Sequence, residues 1–557
     1  TSGQSSILFN NDVVLTSALT EFDTTAYVNG SGNGANITFN GLLNGVDGTQ
    51  SVTFKAGTLG VVTAEKAIAD VATLTLSSSN GANFNDAVSA DSIVIAHTKL
   101  GQTVSFLGDV TASTFTTLFA DGYNLVFKGA SNKFTHAVDF LNTGGLQLGD
   151  ANRALSATPT DVNFEFVNGV KATSPNSVML AGRFKSSHAD MAFGSSTADI
   201  TLGNAVAIDS GSGDVIFNGA LDSEANQHYS LNVVNGGYLT FQKAVGQADP
   251  LSTLTISGGG NVYINGGEVS TTGAQSYGNA VVLGNTTTLN ALGVNFDRTI
   301  SAAAQSLGLT VNNLGTTTFN GDVDIGWLET DGGGTSDNKV EIQTASIKTT
   351  GTQHYGERVS LTSAVPVTLT GAGVTFADTL DGPQALTIED SGVTTFTKEV
   401  GQGTALASLT IKDNGGVHGT VHINGGEVTT TGAQDYQNAV EVWKPTTTLN
   451  ALDVTFAKSV NGKDATAVSL TVNASVGNTS ANLGHATFDD TVGSSAKRIG
   501  TLIVNSMGTT TFKGDVDVGS LETDGGGTSA NQVNINTANI KTTGTQHYGE
   551  RVSLTSA

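Results

Sequence analysis

Short runs of alternating apolar and polar residues recur along the whole chain and stop at glycine or asparagine. Ile37-Thr-Phe39-Asn-Gly41, Val104-Ser-Phe106-Leu-Gly108, Leu125-Val-Phe127-Lys-Gly129 and Val215-Ile-Phe217-Asn-Gly219 are examples. Each predicts a short strand with one buried face, closed by a turn. In Leu254-Thr-Ile256 and Leu409-Thr-Ile411 every second side chain should point inward. Phe106 and Phe127 lie 21 residues apart, and the pairs 296 and 319, 376 and 396, and 488 and 512 lie 20–24 apart. Such an interval reads as one coil of a solenoid. Thr63–Ala72 has some helical character, but a turn into the strand Leu74-Thr-Leu76 fits better, because later copies carry non-helical text there.

The periodicity is also literal. Residues 314–364 and 507–557 carry nearly the same text, displaced by 193. Phe241, Phe396 and Phe488 each open a block that reaches Val-Gly four residues on. The block from Ile264 to Tyr277 recurs from Ile423 to Tyr436, and Thr286–Leu292 recurs as Thr446–Leu452. A chain that copies itself in this way is a repeat protein, and its elements stack on their neighbours.

The fold class expected is therefore all-β: a parallel β-solenoid, or β-helix, with coils of about 20–24 residues. Each coil would hold two or three strands that pair with the coils above and below at roughly 4.8 Å. About 25 coils would then give a rod on the order of 120 Å. Val, Ile, Leu and Phe should stack inside, with Gly and Asn at corners. Three regions are expected: loose repeats over 1–150, an irregular insertion or side region over 151–225, and clear repeats over 226–557. The middle region is set apart by Pro159, Pro175 and the mixed polarity around Arg183, Lys185, His188 and Asp190. The copy of Leu361-Thr-Ser-Ala364 ends at Ala557 in mid-pattern, so further repeats or another subunit are expected against that coil.

Composition narrows the function. With 24 basic against 48 acidic residues, the net charge of −24 argues against nucleic acid as a partner. No apolar run reaches membrane-spanning length. Cysteine is absent, which removes disulfides, thiolate metal sites and a cysteine nucleophile. Pro is scarce, with six residues, as central strands require.

The blocks Thr-Thr-Gly-Ala-Gln-x-Tyr, Thr-Thr-Thr-Leu, Gly-Val-Thr-Phe and Leu-x-x-Leu-Thr-Ile resemble those of bacterial cell-surface β-repeat proteins. The likeness is to filamentous-haemagglutinin-like adhesins and autotransporter passengers, including surface antigens of the rickettsial outer-membrane type. Some surface-layer proteins share the composition. The resemblance covers most of 226–557 and, more weakly, 1–150. It implies export, an extracellular rod at the bacterial cell surface, and roles in adhesion or lattice building. It brings no residue-level site.

The internal copies screen candidate chemistry. A site should keep its groups in every copy or occur once as a coherent cluster. His228, His354 and His547 sit in Gln-His-Tyr, but Ser276 and Asp435 occupy the same slot elsewhere, which marks it as solvent-facing. Tyr277, Tyr355, Tyr436 and Tyr548 persist and should pack a corner with the hydroxyl partnered. The loops from Glu329 to Asn338 and Glu522 to Asn531 are acidic and glycine-rich, as calcium sites require, yet Asp337 is replaced by Ala530 and the Gly-Gly-x-Gly-x-Asp nonapeptide is missing. Asp322 with Asp324, and Asp515 with Asp517, should form a solvated edge. Trp327 is matched by Ser520, and Trp443 lies in a one-residue insertion, so both should pack locally.

No catalytic, cofactor-binding or metal residues are nominated, and no cofactor is expected, calcium being the one the acidic loops would suit. The reading is a non-enzymatic extracellular rod of a surface adhesin or fibre, whose partners are other copies or repeats of itself and a host, glycan or matrix surface. The alternatives are a surface-layer or filament subunit that assembles into an array and, last, a polysaccharide-active β-helix enzyme.

Overall fold

The computed structural model describes residues 5–25, 33–118, 120–156, 161–331, 338–414, 416, 418–464, 468–476, 483–524 and 531–555. Every regular element among them is a strand, and the strands stack in parallel as a β-solenoid of about 22 turns. The chain divides into two compact units, Thr1–Asn285 and Thr286–Ala557.

In the first unit each coil contributes to three parallel ladders. One ladder begins with Ile7–Phe9, Ile37–Phe39, Val62–Ala64 and Ala82–Phe84, then Thr103–Phe106 and Asn124–Phe127. A second begins with Val13–Leu15 and Leu43–Gly45, and a third with Leu19–Asp23 and Ser51–Lys55. Alternation sets the inside. Thr103–Phe106 buries Val104 and Phe106 completely and turns Ser105 outward. Because the register is residue on residue, identical rings meet. Phe84, Phe106 and Phe127 stack at 4.8 and 5.0 Å between centroids, with interplanar angles of 13° and 8°. That separation is the inter-strand spacing of a sheet, so ring stacking and backbone pairing are satisfied by one geometry.

The stretch expected to be an irregular insertion, 151–225, continues these ladders. Phe164–Phe166, Val170–Ala172, Ser177–Lys185, Met191–Phe193 and Ile200–Gly211 are all in register with neighbouring coils. What swells is one coil: Leu146 pairs with Val178, a step of 32 residues. The mixed polarity around Phe184 is ordinary alternation, with Phe184 fully buried between a half-buried Arg183 and an exposed Lys185. Pro159 lies outside the described residues. Thr63–Ala72 is not helical, and Ile68–Ser78 is a long strand. Its register slips beside Asp70, whose φ of 53° lets the strand turn a corner without leaving its ladders.

The second unit is built the same way and carries the clearest stacks. Tyr355, Phe376 and Phe396 are spaced at 5.2 and 5.6 Å, and Tyr436, Phe456, Phe488 and Phe512 at 5.2, 5.1 and 5.0 Å. One coil here is also enlarged, with Phe456 paired to Phe488 across a step of 32. On the outer face Asn450, Asn473 and Asn505 form an amide ladder, joined at 2.7 and 2.8 Å.

The recurrent Val-Gly turn shows why these positions cannot drift. Gly246, Gly401 and Gly493 have φ of 67°, 70° and 72°. A Cβ on any of them would lie 2.2 Å from a carbonyl oxygen of the adjoining coil, that of Ser270, Thr429 or Asp517. Only glycine permits both the left-handed turn and the close approach.

Candidate functional site

The residues singled out in the sequence fall into three settings. The Gln-x-Tyr tyrosines are corner bricks. Tyr277, Tyr355 and Tyr436 are fully buried, and each hydroxyl donates to the Oε1 of the glutamine two residues before it, at 2.9, 2.9 and 3.0 Å. The same glutamines donate from Nε2 to the carbonyls of Val269, Ile347 and Val428 at 2.9–3.1 Å. The preceding threonines, Thr271, Thr349 and Thr430, each donate to the glycine carbonyl two residues on, at 2.8 Å. Burial drives these phenols far above their usual pKa. The residue between glutamine and tyrosine points outward and is half-buried at Ser276, His354 and Asp435.

Gln227-His228-Tyr229 is not a fourth internal brick. It lies in a turn with Asn226 and His228 at φ of 61° and 56°, and the His228 ring meets the Pro250 carbonyl at 2.8 Å. The tripeptide matches, but the Thr-Thr-Gly that builds the brick is missing in front of it.

The acidic pairs are braces between coils. Asp322 accepts from Thr344, and Asp515 accepts from Thr537 and from Asn539 Nδ2, which holds the Asp515 carboxyl below the usual carboxylate range, Thr537 contributing most. Asp324 faces Lys348 at 3.4 Å, and Asp517 faces Arg498 at 2.7 Å and Lys541 at 3.6 Å. Within the acidic loops, 332–337 and 525–530, including Asp337 and Ala530, lie outside the described residues. Trp327 leans over Gly308, where a Cβ would meet the indole at 2.1 Å. That is local packing.

Trp443 is the centre of a cluster not anticipated from the sequence. Its ring lies 4.7 Å from that of His422, and Lys463 Nζ sits 4.4 Å from its centroid. Its indole Nε1 donates to Glu441 Oε2 at 3.2 Å, and Glu441 also meets His422 at 3.5 Å and Lys497. Burial lowers the His422 pKa and Lys497 adds to that, while Glu441 acts the other way. The signal was in the copies. The earlier block has Tyr263, Val282 and Gly284 where this one has His422, Glu441 and Trp443, so three chemistry-bearing changes occur once and together. The rings and charges clip successive coils into a column. With Trp443 in contact with His422 and Lys463, and Glu441 held by three partners, the arrangement braces a surface.

A groove of about 590 Å³ lies beside the coil that swells between Leu146 and Val178. Lys133, Arg153 and Lys185 share its lining with Asp161 and Glu165, and Lys133 and Glu165 are paired at 2.8 Å. Among the described residues, no three histidine or acidic side chains converge as a metal centre, and no helix is long and apolar enough to cross a membrane.

Fold and surface together define a β-solenoid repeat protein. No family model, curated protein or solved structure compared with the chain matches it.

Proposed function

We propose that this chain is a non-enzymatic structural rod, an extracellular part of a bacterial surface adhesin or fibre, acting in adhesion and in cell-surface or matrix assembly. One observation carries the reading. In the Gln-x-Tyr copies the inward groups are fixed, while the outward slot changes freely among Ser276, His354, Asp435 and His547. A spacer must keep what stacks, and a reactive surface must keep what reacts.

Several outer ion pairs support the same reading, because they join one coil to the next. Lys55 with Glu21, Lys412 with Glu389 and Lys513 with Asp489 are paired at 2.7, 2.9 and 2.8 Å. Each added coil extends the stack by roughly 4.8 Å and adds hydrogen bonds on every ladder. Stiffness and reach come from repetition, and the outer face is left to meet a host, glycan or matrix surface or another copy of the chain.

Electron microscopy of the purified chain tests this. Isolated stiff particles one chain wide are expected. Ordered sheets or filaments would transfer the reading to an array subunit, and glycan cleavage abolished by one carboxylate substitution would overturn it.

A further inference from the structure

At one corner of the second unit the chain buries a carboxylate in an unusual setting. Glu357 follows the Gln353-His-Tyr355 brick and is only 5% exposed. Neither of its carboxylate oxygens has a hydrogen-bond partner, and the Thr330 hydroxyl is likewise unsatisfied. The strand Gln353–Tyr355 pairs with Leu328–Asp331, with Tyr355 opposite Thr330, and the Gly356 N–H donates to the Thr330 carbonyl at 2.7 Å. A Cβ on Gly356 would lie 3.7 Å from Asp331 Oδ1. Thr330, Asp331 and Glu357 therefore meet at one corner. Burial raises the pKa of the Glu357 carboxyl and the charge of Asp331 adds to that, while the Thr330 hydroxyl beside it and the backbone at Glu357 and Gly356 act the other way.

Other coils treat this corner differently. Two residues after the brick tyrosine stand Asn279 and Asn438, both buried and neutral. Asn279 accepts from the Gly259 N–H at 2.8 Å. Glutamate appears there only at Glu357 and Glu550, and in both copies the preceding coil supplies Thr-Asp, as Thr330-Asp331 and Thr523-Asp524. Glutamate and Thr-Asp come together, and asparagine stands where Thr-Asp is missing. In the Glu550 copy the Thr523 hydroxyl donates to the carboxylate at 3.0 Å, so these groups do reach one another.

An unpaired buried carboxylate beside a second acid is costly by itself. The cost disappears when a hard cation lies between the two. We propose that Glu357, Asp331 and the Thr330 hydroxyl form a binding site for a divalent cation of the calcium class, with water and backbone oxygens completing its shell. Calcium takes six to eight oxygen ligands and accepts carboxylates in mono- or bidentate mode. Two carboxylates give a weak site, with a dissociation constant of order 10⁻⁴–10⁻³ M, as in extracellular calcium modules.

Calorimetric titration of the full chain with calcium at physiological salt, alongside thermal melting with and without calcium, tests the proposal. Glu357→Asn inserts the residue this chain already uses at the same corner, and Asp331→Asn changes an exposed position. The wild type should bind calcium and melt at a higher temperature in its presence. Both variants should fold, bind calcium at least about tenfold more weakly at this site, and lose the calcium-dependent part of the melting shift. Wild type that neither binds nor responds at millimolar calcium would overturn the assignment. Variants that bind and respond as the wild type does would also overturn it, because calcium would then act elsewhere on the acidic surface.

Discussion

Residues 314–364 and 507–557 are nearly the same text in two positions of one unit, and they do not end up alike. In the first copy Gln353, Tyr355 and Leu361 are fully buried and Val359 is 1% exposed. In the second, Gln546 is exposed, Tyr548 is half-buried, Val552 is 39% exposed and Leu554 is 74% exposed. The hydrogen bonds of the brick survive this difference. Tyr548 donates to Gln546 Oε1 at 3.2 Å, and Gln546 Nε2 donates to the Ile540 carbonyl at 3.2 Å, as Gln353 does to Ile347 at 3.1 Å. The text of a coil specifies its own turn, and the coil that follows confers its burial.

Substitutions made in both copies can break this comparison, and the largest effect should come from the core leucines. Leu361→Ala should cost about 2–5 kcal/mol in denaturant unfolding, as buried leucines do. Leu554→Ala should stay within about 0.5 kcal/mol. Equal costs would mean that the second copy is covered as well as the first. Next come the brick hydroxyls. Tyr355→Phe leaves Gln353 Oε1 buried without its donor and should cost about 1–3 kcal/mol, whereas at Tyr548→Phe water can replace the lost partner and the cost should be under about 1 kcal/mol.

The same tyrosines sharpen the comparison through pH. Burial raises the Tyr355 pKa, so stability from this group is fully present below the ordinary phenol value of about 10. Above that pH the unfolded chain ionises and the folded one does not, so stability falls by about 1.4 kcal/mol per pH unit for each such tyrosine. Denaturant midpoints measured from pH 9 to pH 11 should show this decline. Tyr355→Phe should remove one tyrosine's share of it, and Tyr548→Phe should remove less. The smallest effect belongs to the outward slot. His354→Ser, which copies Ser276, should change stability by no more than about 0.5 kcal/mol.

Much of the fold could be read from the sequence because the period is written in phenylalanines. The pairs 106 and 127, 296 and 319, 376 and 396, and 488 and 512 are all direct register partners. What misled was local texture. Arg183 and Lys185 looked like disorder in the pattern, yet they are the outward half of a strand whose inward half includes Phe184. The tripeptide Gln227-His-Tyr229 looked like a copy, yet the turn in front of it builds a different structure. The two most chemical places were hidden for another reason. Glu357 stands beside Arg358 and reads as surface until the coils close over it, and His422, Glu441 and Trp443 are brought together only by stacking.

Residues one coil apart are neighbours in register, and a chain with no native cysteine allows this to be tested cleanly. Thr318 pairs with Glu341, and Glu341 with Ser360, all on outward positions. Cysteines at 318 and 341 should lie about 4.8 Å apart and close an intramolecular disulfide on mild oxidation. Cysteines at 318 and 360, two coils apart at roughly 9.6 Å, are beyond disulfide reach and should stay reduced. Closure of the distant pair, or failure of the near pair in a folded chain, would contradict the stacked-coil account.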